Sequence, residues 1–183
     1  MNDLDGTDLA SLLVREGPLE PRRALELVRQ IADALDNARW SRGHVHGSLE
    51  PACIVVSLDE EGNERVDVTG FGSGAPGANP NYLAPEQIEG GPVSARSDVY
   101  ALGCILYECL TGAAPFRRGS RLAVLAGHLH GEPVPPRDRR AYLPVGFGTV
   151  IAKALAKSPE ERYSTCGELA AAAQAELGGI PCV

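Results

Sequence analysis

Several groupings of side chains have residue types that could do chemistry, and spacing excludes most of them. His44-x-His46 and His128-x-His130 pair imidazoles two positions apart, but a zinc ion takes further ligands and neither pair has a third and fourth. Gly72-Ser73-Gly74-Ala75-Pro76-Gly77 fits G-x-G-x-x-G after a predicted strand. A dinucleotide site needs a helix immediately afterwards; Pro76 and Pro80 prevent one, so the stretch reads as a flexible loop. Asp59-Glu60-Glu61 reads as a solvated turn, and Arg137-Asp138-Arg139-Arg140, beside two prolines, as a solvated surface patch. Cys53, Cys104, Cys109, Cys166 and Cys182 are odd in number and form no Cys-x-x-Cys pair. They read as reduced, mostly buried thiols of a cytoplasmic protein.

The elements that must position any site come from a chain of 183 residues, one domain by length and long enough to bury a sizeable core. Its 44% hydrophobic and 22% charged content is that of a globular protein, and 5% aromatic residues leave no large stacking surface. A net charge of -7 and a pI near 5.1 set aside nucleic acid and anionic membrane as partners. The longest apolar stretch, Val99 to Leu110, is short and contains Glu108; a membrane helix needs about 20 residues. Met1 to Asp5 lacks the basic and apolar regions of a signal peptide, so the expected location is cytoplasmic.

A short helix is predicted around Asp8 to Arg15, closed by Gly17-Pro18. From Pro21 to about Trp40, Ala24, Val28, Ile31 and Leu35 recur at helical spacing, with Arg22, Arg23, Glu26 and Arg29 facing out. Strands at Ile54 to Ser57 and Arg65 to Thr69 flank the polar turn as a hairpin. Residues 70 to 83 are rich in Gly, Pro and Asn and read as irregular. Ser97 to Leu110 is apolar on nearly every side, which predicts a helix buried all round. Three more helical segments follow near 120–130, 148–157 and 165–177.

One stretch ties these elements together: Val45-His46-Gly47-Ser48-Leu49-Glu50-Pro51-Ala52-Cys53-Ile54-Val55-Val56. It resembles the catalytic loop of a eukaryotic-type serine/threonine protein kinase, in which the order is His-Arg-Asp-Leu-Lys-Pro-x-Asn and then three apolar strand residues. His46, Leu49, Pro51 and Ile54-Val55-Val56 keep their places. Gly47 stands for the Arg, Ser48 for the Asp that takes the substrate hydroxyl proton, Glu50 for the Lys beside the transferring phosphate, and Cys53 for the metal-holding Asn. Gly70-Phe71-Gly72 stands where the family has Asp-Phe-Gly, with Ala84-Pro85-Glu86, Ser97-Asp98-Val99-Tyr100-Ala101-Leu102-Gly103 and Arg162 following in register. Asn79 replaces the threonine that contacts the catalytic aspartate, and the bacterial members of the family are the nearest in character.

The resemblance implies a mainly α fold with a small β-hairpin, the C-terminal lobe of a protein kinase without its N-terminal lobe. It spans 1–183, with catalytic-loop equivalent 44–56, activation-segment equivalent 70–86 and central helix about 97–110. It also implies structural roles: His46 packs beside Phe71, Asp98 accepts hydrogen bonds from loop amides, and Glu86 pairs with Arg162. Phosphoryl transfer needs a group to orient the nucleophile and metal ions to neutralise phosphates. Ser48 is no carboxylate, Gly70 offers no oxygen, and Cys53 is a soft donor where magnesium takes oxygen. The expectation is therefore a catalytically inactive module, no enzyme and without cofactor. It would bind a protein partner or a second copy through a face where Val45, Ile54, Val55 and Phe71 cannot all be well covered. The alternative is a truncated serine/threonine kinase using ATP and magnesium.

Overall fold

A computed structural model describes residues 6–72, 79–117 and 119–179. The expectations for Met1 to Asp5, for the glycine-rich stretch at Ser73 to Gly77 and for Cys182 lie outside the described residues.

The chain enters through strand β1 (Thr7–Asp8) and helix α1 (Leu9–Glu16). Asp8 serves both: it pairs with Val55 of the sheet, and its carboxylate caps α1 by accepting from the Ser11 amide at 2.8 Å. Gly17, at φ +73°, ends the helix with its amide on the Leu13 carbonyl. Helix α2 (Pro21–Arg42) begins on the Glu20 carboxylate, which accepts from the Arg22 and Arg23 amides, and stops at Gly43 in the left-handed conformation. Ala24, Val28, Ile31 and Leu35 are buried, as their spacing predicts. Arg23 does not simply face out. It lies half-buried and forks onto Glu64, with Nε at 2.9 Å and Nη2 at 2.7 Å, fastening α2 to the sheet.

The sheet has three antiparallel strands in the order β1, β2 (Ile54–Leu58), β3 (Glu64–Val68). The two-residue β1 is too short for an alternating pattern, so the hairpin was the legible part. Register pairs Ile54 with Val68 and Leu58 with Glu64. Strand alternation turns Ile54 and Val56 into the core, so Ile54 is fully buried, the one of the four apolar residues at this face that the chain itself covers. Val45, Val55 and Phe71 are half-buried.

Helix α3 (Pro85–Ile88) precedes α4 (Ala95–Thr111), the axis of the fold. Every residue of α4 from Ser97 to Tyr107 is buried. Glycine is required at Gly103, where a Cβ would stand 2.8 Å from that of Ala154. Helices α5 (Arg121–His130), α6 (Pro136–Arg139), α7 (Gly146–Ala154) and α8 (Cys166–Ala175) complete the packing. Asp36 of α2 caps α8 by accepting from the Cys166 and Gly167 amides at 3.2 and 2.8 Å. The basic stretch is not wholly solvated: Arg140 donates to the carbonyls of Leu19 and Leu110, both at 2.7 Å, and lies over the Tyr142 ring. It closes the exposed carbonyl end of α4, a tertiary role that local sequence does not announce.

The result is a mainly helical fold with one small sheet. Among the described residues no helix is long and apolar enough to cross a membrane.

Candidate active site

The loop from His44 to Cys53 joins the C-terminus of α2 to β2, and little backbone pairing holds it. Buried polar groups need partners, and here side chains from other elements supply them. Asp98, in the first turn of α4, accepts from the His46 amide through Oδ2 and from the Gly47 amide through Oδ1, both at 2.8 Å. Burial pushes the Asp98 carboxyl above its ordinary pKa, and the two amide bonds offset part of that rise. His46 is 1% exposed, with its ring 4.9 Å from that of Phe71. Its Nε2 lies 2.8 Å from the Thr69 carbonyl, which only accepts, so Nε2 carries the proton. Nδ1 is then free to accept from the Ser48 amide at 3.3 Å.

Within this frame Gly47, Ser48, Glu50, Cys53 and Asn79 are half-buried and Gly70 is exposed. Gly47 takes φ +73°, a conformation glycine adopts without steric cost. Ser48, Glu50, Asn79, Tyr82 and Gln87 line one narrow cleft. The Asn79 carboxamide oxygen accepts from the Asn81 amide at 3.2 Å, capping the 3-10 turn Pro80–Tyr82. Cys53 ends the 3-10 turn Pro51–Cys53, with Sγ 4.0 Å from the Ser48 carbonyl. Burial, with Glu50 nearby, holds the Cys53 thiol protonated above its usual range. Gly70 follows Thr69, whose amide and hydroxyl both donate to the Cys53 carbonyl, at 2.8 and 3.1 Å.

Below the cleft, Glu86 at the start of α3 receives Arg162 in a two-pronged pair, Nη1 to Oε1 at 2.8 Å and Nη2 to Oε2 at 2.7 Å. Ser97 adds a third bond to Glu86 at 2.7 Å. Burial raises the Glu86 carboxyl, but the bonds from Arg162 and Ser97 outweigh it and hold the group below its ordinary value. Arg162 also donates to the Ala156, Lys157 and Arg96 carbonyls. The structure thus brings His46, Gly47, Ser48, Phe71 and Asp98 together at the loop and sets Glu86 and Arg162 apart as an anchor.

Two features escaped the sequence reading. Tyr82 donates to the half-buried Glu108 of α4 at 2.5 Å. Gln87 bridges α3 and the loop, accepting from the Ala84 amide at 3.1 Å and donating to the Gly47 carbonyl at 2.7 Å. A glutamine three positions after a helix start is one half of a capping box, but Ala84 cannot supply the other half, so the signal is faint.

A family model described as a protein kinase domain matches residues 1–174, and the chain belongs to that family. It is 40% identical over 189 aligned residues to serine/threonine-protein kinase PknE of Mycobacterium tuberculosis, covering 97% of this chain and 32% of that protein. To PknH of Mycobacterium bovis it is 38% identical, covering 97% of this chain and 31% of the relative. To PknB of Mycolicibacterium smegmatis it is 39% identical, covering 93% and 29%. The chain thus spans about a third of the length of the relatives it matches.

These findings correct two expectations. A chain so similar to serine/threonine kinases over nearly its whole length points to a kinase enzyme rather than a non-enzyme. They likewise imply ATP and magnesium where no cofactor was expected. Magnesium takes hard oxygen ligands. The positions that face it in the family carry a protonated thiol at Cys53 and no side chain at Gly70, so these residues do not fit the ion.

Proposed function

We propose that this chain forms the helical lobe of a serine/threonine protein kinase, which moves the γ-phosphoryl group of ATP to a serine or threonine hydroxyl of a protein. The observation that carries the reading is the clamp on the loop: Asp98 holding the His46 and Gly47 amides so that Ser48 is presented at the cleft beside Asn79 and Gln87. A loop held by three elements is the preorganisation that positioning catalysis requires. No step is assigned to magnesium on Cys53 or Gly70, because neither offers it an oxygen side chain. The part taken by this chain's residues is to hold the loop and to form the cleft wall that a protein hydroxyl approaches. The half-buried Val45, Val55 and Phe71 leave apolar surface suited to a covering protein segment, whether a partner or a second copy.

Radiolabelled ATP with a generic protein substrate tests this reading. The expected result is label on serine or threonine, lost in Asp98→Asn with the fold intact by circular dichroism. Transfer no greater than in protein-free buffer, or equal in the variant, overturns it.

A further inference from the structure

The peptide between Gly47 and Ser48 is the one on which the cleft-facing Ser48 hangs, and both of its polar groups are held by side chains. Its N–H, from Ser48, donates to His46 Nδ1 at 3.3 Å; its carbonyl, from Gly47, accepts from Gln87 Nε2 at 2.7 Å. On its other side Gly47 is tied by its own amide to Asp98. Gly47 sits at φ +73° without a Cβ, so its backbone has little intrinsic preference of its own to hold this orientation. The Gln87 bond is the shorter of the two on the peptide, and it comes from a different element, α3. Its sense is fixed by both ends: the Ala84 N–H requires an oxygen and the Gly47 carbonyl requires a nitrogen, so only one orientation of the carboxamide satisfies both.

We propose that Gln87 is a positioning residue: it sets the orientation of the Gly47–Ser48 peptide and thereby couples α3, at the end of the segment that begins at Gly70, to the place of Ser48 in the cleft. Its consequence for turnover rests on the phosphoryl-transfer reading above. Because Glu86 of the same short helix is locked to Arg162, Gln87 works from a fixed base, and Ala84 binds the other end of its carboxamide. A shift of α3 therefore reaches Ser48 through one side chain.

The test begins on the unaltered chain. A scalar coupling across the hydrogen bond is expected between the Gln87 side-chain nitrogen and the Gly47 carbonyl carbon, and its absence in a well-resolved spectrum overturns the proposal. Gln87→Glu at neutral pH keeps the acceptor for Ala84 and removes the donor; Gln87→Met removes both. In each, the Gly47 carbonyl carbon and Ser48 amide resonances should move, while the Ala84 amide should move more in Gln87→Met. Acidifying Gln87→Glu until the introduced carboxyl protonates restores an O–H donor and should return the Gly47 signal toward its original position. Unmoved Gly47 and Ser48 signals in either folded variant overturn the assignment. For transfer, kcat is expected to fall about tenfold or more with KM for ATP unchanged, and an unchanged kcat overturns the coupling to turnover. Absence of transfer by the unaltered chain sinks the phosphoryl-transfer reading, and the spectra then decide the positioning claim alone.

Discussion

The loop around Ser48 and the anchor around Arg162 are fastened by the same means, side chains satisfying buried groups, yet they depart from the kinase pattern very differently. At the anchor the matching residues are present and bonded: Arg162, 3% exposed, reaches one carboxylate and three carbonyls. At the loop the buried positions match, His46 at 1%, Leu49 at 2% and Asp98 at 5% exposed, whereas Gly47, Ser48, Glu50 and Cys53 are half-buried and all differ. Burial sets the cost of change. A polar group sealed from water needs its partner, and one at a cleft can be exchanged with little effect on folding.

The comparison breaks most forcefully at Arg162. Arg162→Met leaves the Glu86 carboxylate without its counter-charge and removes the bonds to three carbonyls, and unfolding in urea should show a loss of about 3–5 kcal/mol. If the variant is as stable as the parent, the anchor is not what holds α3.

A further buried group lies beside the anchor, where Arg162 stands over the Tyr100 ring at 4.8 Å, and it sharpens the contrast through pH. His128 of α5 is fully buried, its Nδ1 2.8 Å from the Tyr100 hydroxyl, with the Phe116 ring at 4.8 Å and the Lys157 ammonium on its own carbonyl at 2.8 Å. Burial, then the charge of Lys157, drives its pKa from 6.5 to about 4, offset in part by the Asn81 and Pro80 carbonyls. Between those two values the unfolded chain binds the proton that the folded chain refuses. Stability is therefore complete above pH 6.5 and is lost as the pH falls toward 4, by about 3 kcal/mol in all. Stability measured against pH should lose most of that slope in His128→Phe; an unchanged slope assigns it to other groups.

The smaller effect expected at the loop frame is from Asp98→Asn. The amide keeps one acceptor and turns an NH2 toward a backbone N–H, leaving a buried donor unmet at about 2 kcal/mol. Amide exchange at His46 and Gly47 should accelerate by more than at α4. Equal acceleration at both would mean that the substitution loosens the whole core instead.

Why some of this was legible in sequence follows from the same division. Helical periodicity in α2, the apolar run of α4 and the alternation in β2 are local signals, and so are Asp8 and Gly17 at the ends of α1. The Glu86–Arg162 and Asp98–loop contacts are not local, at separations of 76 and 51–52 residues. They were readable only because the chain resembles a family whose motifs are known. Where neither signal existed the reading failed. Arg140 capping the carbonyl end of α4, Arg23 clasping Glu64, and Gln87 reaching Gly47 join elements far apart in sequence with residue types that are ordinary on any surface. The inactive, cofactor-free expectation went wrong for a different reason: it weighed a few cleft residues above a similarity running through nearly the whole chain.

The gentlest test of the comparison is Glu50→Lys. Glu50 precedes the turn at Pro51 and holds it through its backbone, whose carbonyl accepts from the Cys53 amide at 2.9 Å, so reversing the side-chain charge leaves that bond in place. The position is half-buried at the edge of the cleft, and stability should change by no more than about 0.5 kcal/mol. Binding should respond where folding does not. A carboxylate at the cleft repels a polyphosphate and a lysine attracts it, so the variant should bind ATP more tightly than the parent, most clearly at low salt. A large loss of stability instead would place Glu50 with Asp98 and His46 in the frame, and the line between frame and cleft would have to be drawn one residue further out.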